Sequence, residues 1–349
     1  MKSLMSQQGQ KLLLPESFSE RYDSSLNIRR YGENNLYPQN IREYYEASPT
    51  FHSCADRLRE FLIGEGTSSS VIPSRVMQAC LSDYAIFCGF AMFIQYNGLG
   101  QINNVKYIPF ETIRLGEQGA DGKYTYCYYN PDWSLNTTIN KKKVTKQDST
   151  KYWMFTSDID TRLRRINDPG YTGGEVLYFS NSISYPTEKV RSVLPYVSAE
   201  IGCSNVIYRD VRTSFLQNSV LAIPRQSDDD SNEFAENLTS LQGDLNSYKI
   251  LTVEFSSKED IPQVLSLNSE DYTTRVTTVA DTCRKAIVRT YGQDAFIRLE
   301  EGSLGFGSEA IADIYRYYNF QLRPVRREIE TFLKQIDPTI EIREVQYGR

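Results

Sequence analysis

Three consecutive stretches decide the architecture of this chain: DYTTRVTTVADTCRKAIVRTY (271–291), YGQDAFIRLEEGSLGFG (291–307) and SEAIADIYRYYNFQLRPVRREIETFLKQI (308–336). In the first, Tyr272, Val276, Val279, Cys283, Ile287 and Tyr291 recur every three or four residues, which places them on one helix face. In the last, Ile311, Tyr315, Tyr318, Leu322, Val325, Ile329, Phe332 and Ile336 alternate steps of four and three, a near-heptad stripe. The middle stretch carries Gly292, Gly302, Gly305 and Gly307 with Asp294, Arg298, Glu300 and Glu301, and no metal or nucleophile pattern. It reads as a loop held out from a helical frame, built to reach something and not to react with it.

Upstream of this frame the spacing of Val190, Leu194, Val197, Ile201, Tyr208, Val211 and Phe215 predicts another long helix, with Pro195 and Gly202 as candidate kinks. Between the two long helices lies a compact insertion: a strand at 220–224, the acidic run Asp228-Asp-Asp230, a helix over 232–246 and a strand at 248–255. Residues 90–180 are rich in tyrosine and alternate like half-buried strands, with a hairpin signal at Asn97-Gly-Leu-Gly100. Ser48 and Pro49 open a helix that Gly64 closes, and a second helix spans 74–88. Residues 1–30 are polar and aperiodic, hence expected to form a mobile arm.

Composition excludes several classes of function. Lys plus Arg total 39 against 44 Asp plus Glu, a net charge of −5, so the chain as a whole is no magnet for nucleic acid or anionic lipid. No run of eighteen apolar residues and no leader-like segment occur, and a soluble cytosolic product with no membrane contact is expected. The six cysteines form no CxxC pair and read as small buried residues in a reducing compartment. The lone histidine, His52, reads as a core-edge residue of the 48–62 helix, and every chemistry needing two histidines is excluded.

Three constellations invite a sharper reading. Gly302-Ser-Leu-Gly-Phe-Gly307 lacks the Lys-Ser/Thr pair of a phosphate-binding loop, so its glycines read as conformational freedom. Asp228-Asp-Asp230 with Glu233 and Glu236 lacks the register of a calcium loop and reads as a solvated acidic insertion. Lys141-Lys-Lys143 and Arg162-Leu-Arg-Arg165 flank Tyr152 and Trp153, a nucleic-acid pattern that a charged loop beside a strand also produces. No cofactor, metal or catalytic residue is assigned.

The assembled order resembles the portal proteins of tailed double-stranded DNA bacteriophages. The phrases that carry the resemblance are Asn35-Leu-Tyr-Pro-Gln39, Ser48-Pro49, Tyr84-Ala-Ile-Phe-Cys-Gly-Phe-Ala-Met-Phe93 and Asn97-Gly-Leu-Gly100 before Ile108-Pro109. Ala286-Ile-Val-Arg-Thr-Tyr-Gly292 and the run from Tyr318-Asn319 through Pro324 to Ile329-Glu330 add to it. The resemblance implies an α+β subunit with a β-rich wing, two stem helices, a small α/β clip and a long C-terminal helix. By position the arm is 1–30, the wing 31–186, the first stem helix 187–219, the clip 220–257 and the second stem helix 258–290. A tunnel loop follows at 291–307, and the C-terminal wing helix with a short tail at 308–349. Only about thirteen residues follow Ile336, so the helical crown of larger relatives is reduced or missing.

In function the resemblance implies a non-enzymatic homododecameric ring at one capsid vertex, which admits DNA, docks terminase and then joins the head–tail connector. Its partners would be other copies of itself, duplex DNA, terminase, the major capsid protein and the connector. It would reside in the virion and be assembled in the host cytoplasm. The tunnel-loop residues would be Arg298, Glu300, Glu301, Gly302, Gly305 and Gly307. Clip docking would fall to Ile223, Asp228, Asp229, Asp230 and Val253. The competing readings are a metal-dependent hydrolase of phosphate esters or nucleic acid, using the glycine loop and Asp228–Asp230, and another virion adaptor using the β module for assembly.

Overall fold

The computed structural model describes residues 18–134, 144–212, 219–224, 250–255, 269–300 and 308–347. The chain is α+β and divides into two compact units, Met1–Ser198 with Arg284–Arg349, and Ala199–Cys283.

The first unit opens with β1 (Glu20–Asp23) and β2 (Ile28–Tyr31), an antiparallel hairpin. A turn makes the bend: Asp23 Oδ1 accepts the Ser25 amide at 2.9 Å, and Asn27 adopts φ 58°. The mobile arm expected over 1–30 is therefore corrected for residues 20–30, where Ile28 is fully buried, while residues 1–17 lie outside the described residues. Strands of four residues are too short to show a period in the sequence.

Helices α1 (Tyr37–Ala47) and α2 (Pro49–Ile63) follow with only Ser48 between them. Ser48 Oγ accepts the Phe51 amide at 3.1 Å, and Pro49 lacks only an amide that a first turn leaves unpaired. Phe51, Cys54, Leu58 and Phe61 of α2 face the core. His52, one position off that face, is exposed and not at the core edge; its ring stacks on Tyr45 with centroids 4.3 Å apart. A short β3 (Thr67–Ser68) precedes α3 (Ser74–Phe87), which passes through left-handed Cys88 (φ 56°) straight into the sheet.

That sheet comprises β4 (Gly89–Tyr96), β5 (Ile102–Ile108), β6 (Ile113–Leu115), β7 (Tyr126–Tyr129), β8 (Thr150–Met154) and β9 (Glu175–Ser180) in the order β5-β4-β9-β8-β7-β6. All neighbours are antiparallel except β8 and β9. A parallel pair needs a crossover, and α4 (Ile159–Ile166) supplies it, capped by Asp158 on the Thr161 amide at 3.0 Å. The basic run 162–165 is thus helical and not a charged loop, and two of its arginines are used inside the fold while Arg164 is exposed. Buried Arg162 donates to Gly100 O at 2.9 Å and Thr156 O at 2.7 Å, and Arg165 pairs with fully buried Glu175 at 2.6 Å. The lysine run 141–143 lies outside the described residues.

Buried charges in this core are surrounded by hydrogen-bond partners of complementary kind. Fully buried Arg114 donates to Asn35 Oδ1, Asn35 O, Glu111 O, Ile113 O and Gln39 Oε1 at 2.6 to 3.2 Å, beneath the rings of Tyr31 and Trp133. Glu188 accepts from Tyr31 Oη at 2.6 Å and from Arg191 at 2.7 Å.

The long helix expected over 187–219 is shorter than its apolar spacing suggests. A 3-10 turn at Lys189–Val193 leads into α5 (Leu194–Arg212), and Pro195 falls in the first turn, where its missing amide is harmless. Then come β10 (Ser219–Pro224) and β11 (Ile250–Phe255), which pair in parallel with Ala222 opposite Val253. The helix expected over 232–246 lies outside the described residues. The second long helix, α6 (Ser269–Thr290), is followed by α7 (Asp294–Glu300), α8 (Ser308–Leu333) and β12 (Glu341–Ile342), which pairs with β3.

Candidate functional site

The turn between α6 and α7 is anchored from three sides. Gly292 takes φ 66°, and a Cβ there would lie 2.9 Å from Gln321 Oε1. Buried Gln293 donates through Nε2 to Cys54 O at 2.9 Å and to Tyr318 Oη at 2.8 Å. Phe296 is buried edge-on against Phe61 and Tyr318, with the Arg57 guanidinium 4.5 Å above its ring.

The loop expected over 291–307 is corrected by this geometry, because residues 294–300 form α7. Asp294 opens that helix where the dipole favours an anion, and Phe296 and Ile297 bury its apolar side. Arg298 is exposed in its last turn and Glu300 is its final residue. Glu301, Gly302, Gly305 and Gly307 lie outside the described residues. Of the expected clip residues, Ile223 lies on β10 opposite Glu254 and Val253 on β11 opposite Ala222, so the parallel ladder brings them to adjacent rungs. Asp228, Asp229 and Asp230 lie outside the described residues.

Within the second unit, helical spacing translates into burial only in part: Cys283 of the predicted stripe is buried, whereas Tyr208 and Val279 are not, and Ile207 beside Tyr208 is likewise exposed. Ile207, Tyr208 and Val279 are 44, 53 and 46% exposed. Cys283 is buried, and burial followed by the neighbouring Cys203 and Glu200 pushes its thiol up, which keeps it protonated and unreactive.

Asp83, a buried carboxylate of the first unit, is held by partners of the fold itself. Asp83 lies under Arg42 at 2.7 Å and accepts the Tyr107 hydroxyl at 2.8 Å and the Phe110 amide at 3.0 Å. Burial outweighs these partners and pushes its carboxyl up to about 6. Among the described residues no group of three His, Cys, Asp or Glu is placed to hold a metal ion.

The sequence reading missed a cleft of about 620 Å³ beside α8, walled by Tyr315, Tyr317, Phe320 and Tyr347 and rimmed by Arg316 and Arg323. Tyr317 and Phe320 are 55 and 67% exposed. Both fall off the apolar stripe of α8, and that dephasing was their one signal in the sequence.

No protein-family model and no curated protein matches the chain. Among solved structures it is similar to a chain of the virion of a native gene transfer agent particle (TM-score 0.46, 9% identity, covering 88% of this chain and 83% of that one). It is similar to a chain of the neck of the native gene transfer agent particle, computed with C12 symmetry (TM-score 0.47, 9% identity, 88% and 84% covered). A third likeness is to an HK97 family phage portal protein from Corynebacterium diphtheriae (TM-score 0.38, 10% identity, 87% and 93% covered). At TM-scores under 0.5 these likenesses carry no functional weight.

Proposed function

We propose that this chain is a portal subunit of a tailed bacteriophage, forming a ring at one capsid vertex through which duplex DNA is packaged and ejected. The observation that carries the reading is the partial exposure of apolar side chains on the described parts of the two long helices. Ile207 and Tyr208 on α5 and Val279 on α6 remain about half exposed in the single chain. Copies arranged around an axis would cover them, and a repeated head-to-tail contact gives a ring when the rotation between copies closes. The sequence phrases between residues 35 and 336 support the same family.

In this reading α5 and α6 are the stem, β10 and β11 belong to the clip, and the segment 291–307 reaches the channel. The clip would dock terminase during packaging and the head–tail connector afterwards, through Ile223, Val253 and Asp228–Asp230. A net charge of −5 per chain suits a conduit that must not grip its cargo, since every neutralised phosphate adds salt-dependent affinity. The subunit carries no reaction; it would reside at the capsid vertex and be assembled in the host cytoplasm.

Negative-stain microscopy with native mass spectrometry tests this. A ring with an axial hole, of twelve or a neighbouring number of copies, is expected. A chain that stays monomeric at every concentration would overturn the reading.

A further inference from the structure

A groove of about 670 Å³ in the first unit, sharing no residue with the cleft already described, lies where the end of α8 meets β8 and β9. Phe179 and Phe332 line it with ring centroids 4.9 Å apart, and Phe332 also meets buried Phe90 edge-on at 6.2 Å, so the groove is continuous with the core. Met154, Tyr178 and Phe332 are only half-buried. Ile183 on its rim is 83% exposed, the highest value for a large apolar side chain among the described residues. An open apolar surface that runs into a core marks a place that something covers. Lys123, Arg327 and Glu328 also line it, so both signs of charge are present and apolar match selects the occupant.

The described chain begins beside this groove. Glu20 accepts the hydroxyl of Ser184, next in sequence to Ile183, at 2.9 Å. It also pairs at 2.9 Å with Arg29, whose guanidinium lies 5.9 Å from the ring centroid of Tyr124 on the groove wall. Phe18, two residues before Glu20, is the first described residue, and Leu12-Leu-Leu14 lie four to six residues before that, within about 14 to 20 Å of extended chain. The longer stretches of this unit that lie outside the described residues fit less well. Residues 135–143 hold no two adjacent apolar side chains. Residues 301–307 adjoin Ser308, which is 24 residues and so about 36 Å of helix away from Phe332.

We infer that Leu12-Leu-Leu14 seats in this groove of its own chain, over Ile183 and Phe332. A segment tethered this close meets its groove at an effective concentration on the order of millimolar, which favours it over a free partner of like chemistry. The contact forms within one chain and is independent of the ring reading: it holds for a monomer and for a ring alike.

Cysteine cross-linking tests it, in a Cys203→Ser background that removes the one half-exposed thiol among otherwise buried ones. On mild oxidation, Leu13→Cys combined with Thr331→Cys, an exposed position that lines the groove, should give a chain linked to itself that still runs as a monomer on a denaturing, non-reducing gel. Leu13→Cys combined with Leu99→Cys, at the 72% exposed tip of the β4–β5 hairpin, should link at least about tenfold less. The single variants Leu13→Cys and Thr331→Cys, co-expressed, should give no linked dimer. Melting supplies a second readout. Ile183→Ser should lower the melting temperature by about 2 °C or more, and should lose that effect in a chain carrying Leu12→Ser, Leu13→Ser and Leu14→Ser, because both changes remove one shared contact. An Ile183→Ser chain that melts like wild type, a loss that survives in the triple variant, or a groove link no more frequent than the Leu99 control would overturn the contact. Linked dimers from the co-expressed single variants would also overturn it, by giving the groove to the segment of a neighbouring copy.

Discussion

Gly64 shows how much one backbone position can carry. It ends α2 with φ 59°, and a Cβ there would sit 1.6 Å from Arg343 O, whose chain pairs with residues 65 and 66. Gly64→Ala therefore combines left-handed strain with a backbone clash, and a loss of more than about 2 kcal/mol is expected in denaturant melts. Asp83 makes a pH-dependent prediction. Its carboxyl rises from 3.8 to about 6 on folding. Its contribution is full below pH 3.8 and is lost as pH climbs through about 6, because the folded state disfavours the charged form. The shift corresponds to about 3 kcal/mol at neutral pH. The stability difference between wild type and Asp83→Asn should accordingly move against the wild type by up to that amount between pH 4 and pH 7, read from melts at a series of pH values. A difference that is flat across this range would mean that Asp83 ionises as easily inside the fold as outside it.

At the scale of elements, α8 (Ser308–Leu333) was legible as a helix, but its stripe was only partly what the core uses. Leu322 and Ile329 are buried as the spacing predicts, whereas Val325 and Phe332 are half-buried and the buried set includes Ile314, Leu333 and Arg326. The arginine is informative, since its guanidinium donates to Phe61 O at 2.8 Å and caps the last turn of α2 while Asn319 Oδ1 accepts from it. Ile329→Ala should cost about 2 to 4 kcal/mol in thermal or denaturant melts, and Ile329→Asp should prevent folding. Arg326→Met should cost about 2 kcal/mol in the same assay, by leaving a helix-end carbonyl unpaired. Helix caps at Ser48, Pro49 and Gly64 and the β4–β5 turn were readable because local chemistry specifies them. The β1–β2 hairpin, the short α7 and the structural use of Arg162 and Arg165 were not, because each depends on partners distant in sequence. Arg165 reads as surface charge until β9 brings Glu175 beneath it. The paired strands of the insertion were visible as strands, but their parallel pairing was not, since a run of apolar residues does not encode its neighbour's direction.

For the whole molecule, the proposed portal reading raises the issue of how a ring of like subunits would conduct DNA without holding it. Arg298 stands exposed in the last turn of α7, with Glu300 closing that helix and Glu301 next in sequence. In the proposed ring, one cation and two anions per copy would become a ring of phosphate-attracting groups beside a denser ring of repelling ones. At ordinary ionic strength charges separated by more than about 8 to 10 Å are largely screened, so the passing backbone would feel only its nearest neighbours. The balance should shift predictably when either sign is removed. Assembled rings carrying Glu300→Gln and Glu301→Gln should bind short duplex DNA at least about tenfold more tightly than wild type at low salt, and Arg298→Ala rings more weakly. Both differences should collapse as salt rises, because counterion release is the driving force. Fluorescence anisotropy of a labelled duplex across a salt series measures this directly, with ring integrity checked by microscopy. Intact rings whose DNA affinity ignores all three substitutions would show that the end of α7 and the residue after it do not face the cargo, and the channel would have to be lined by other residues.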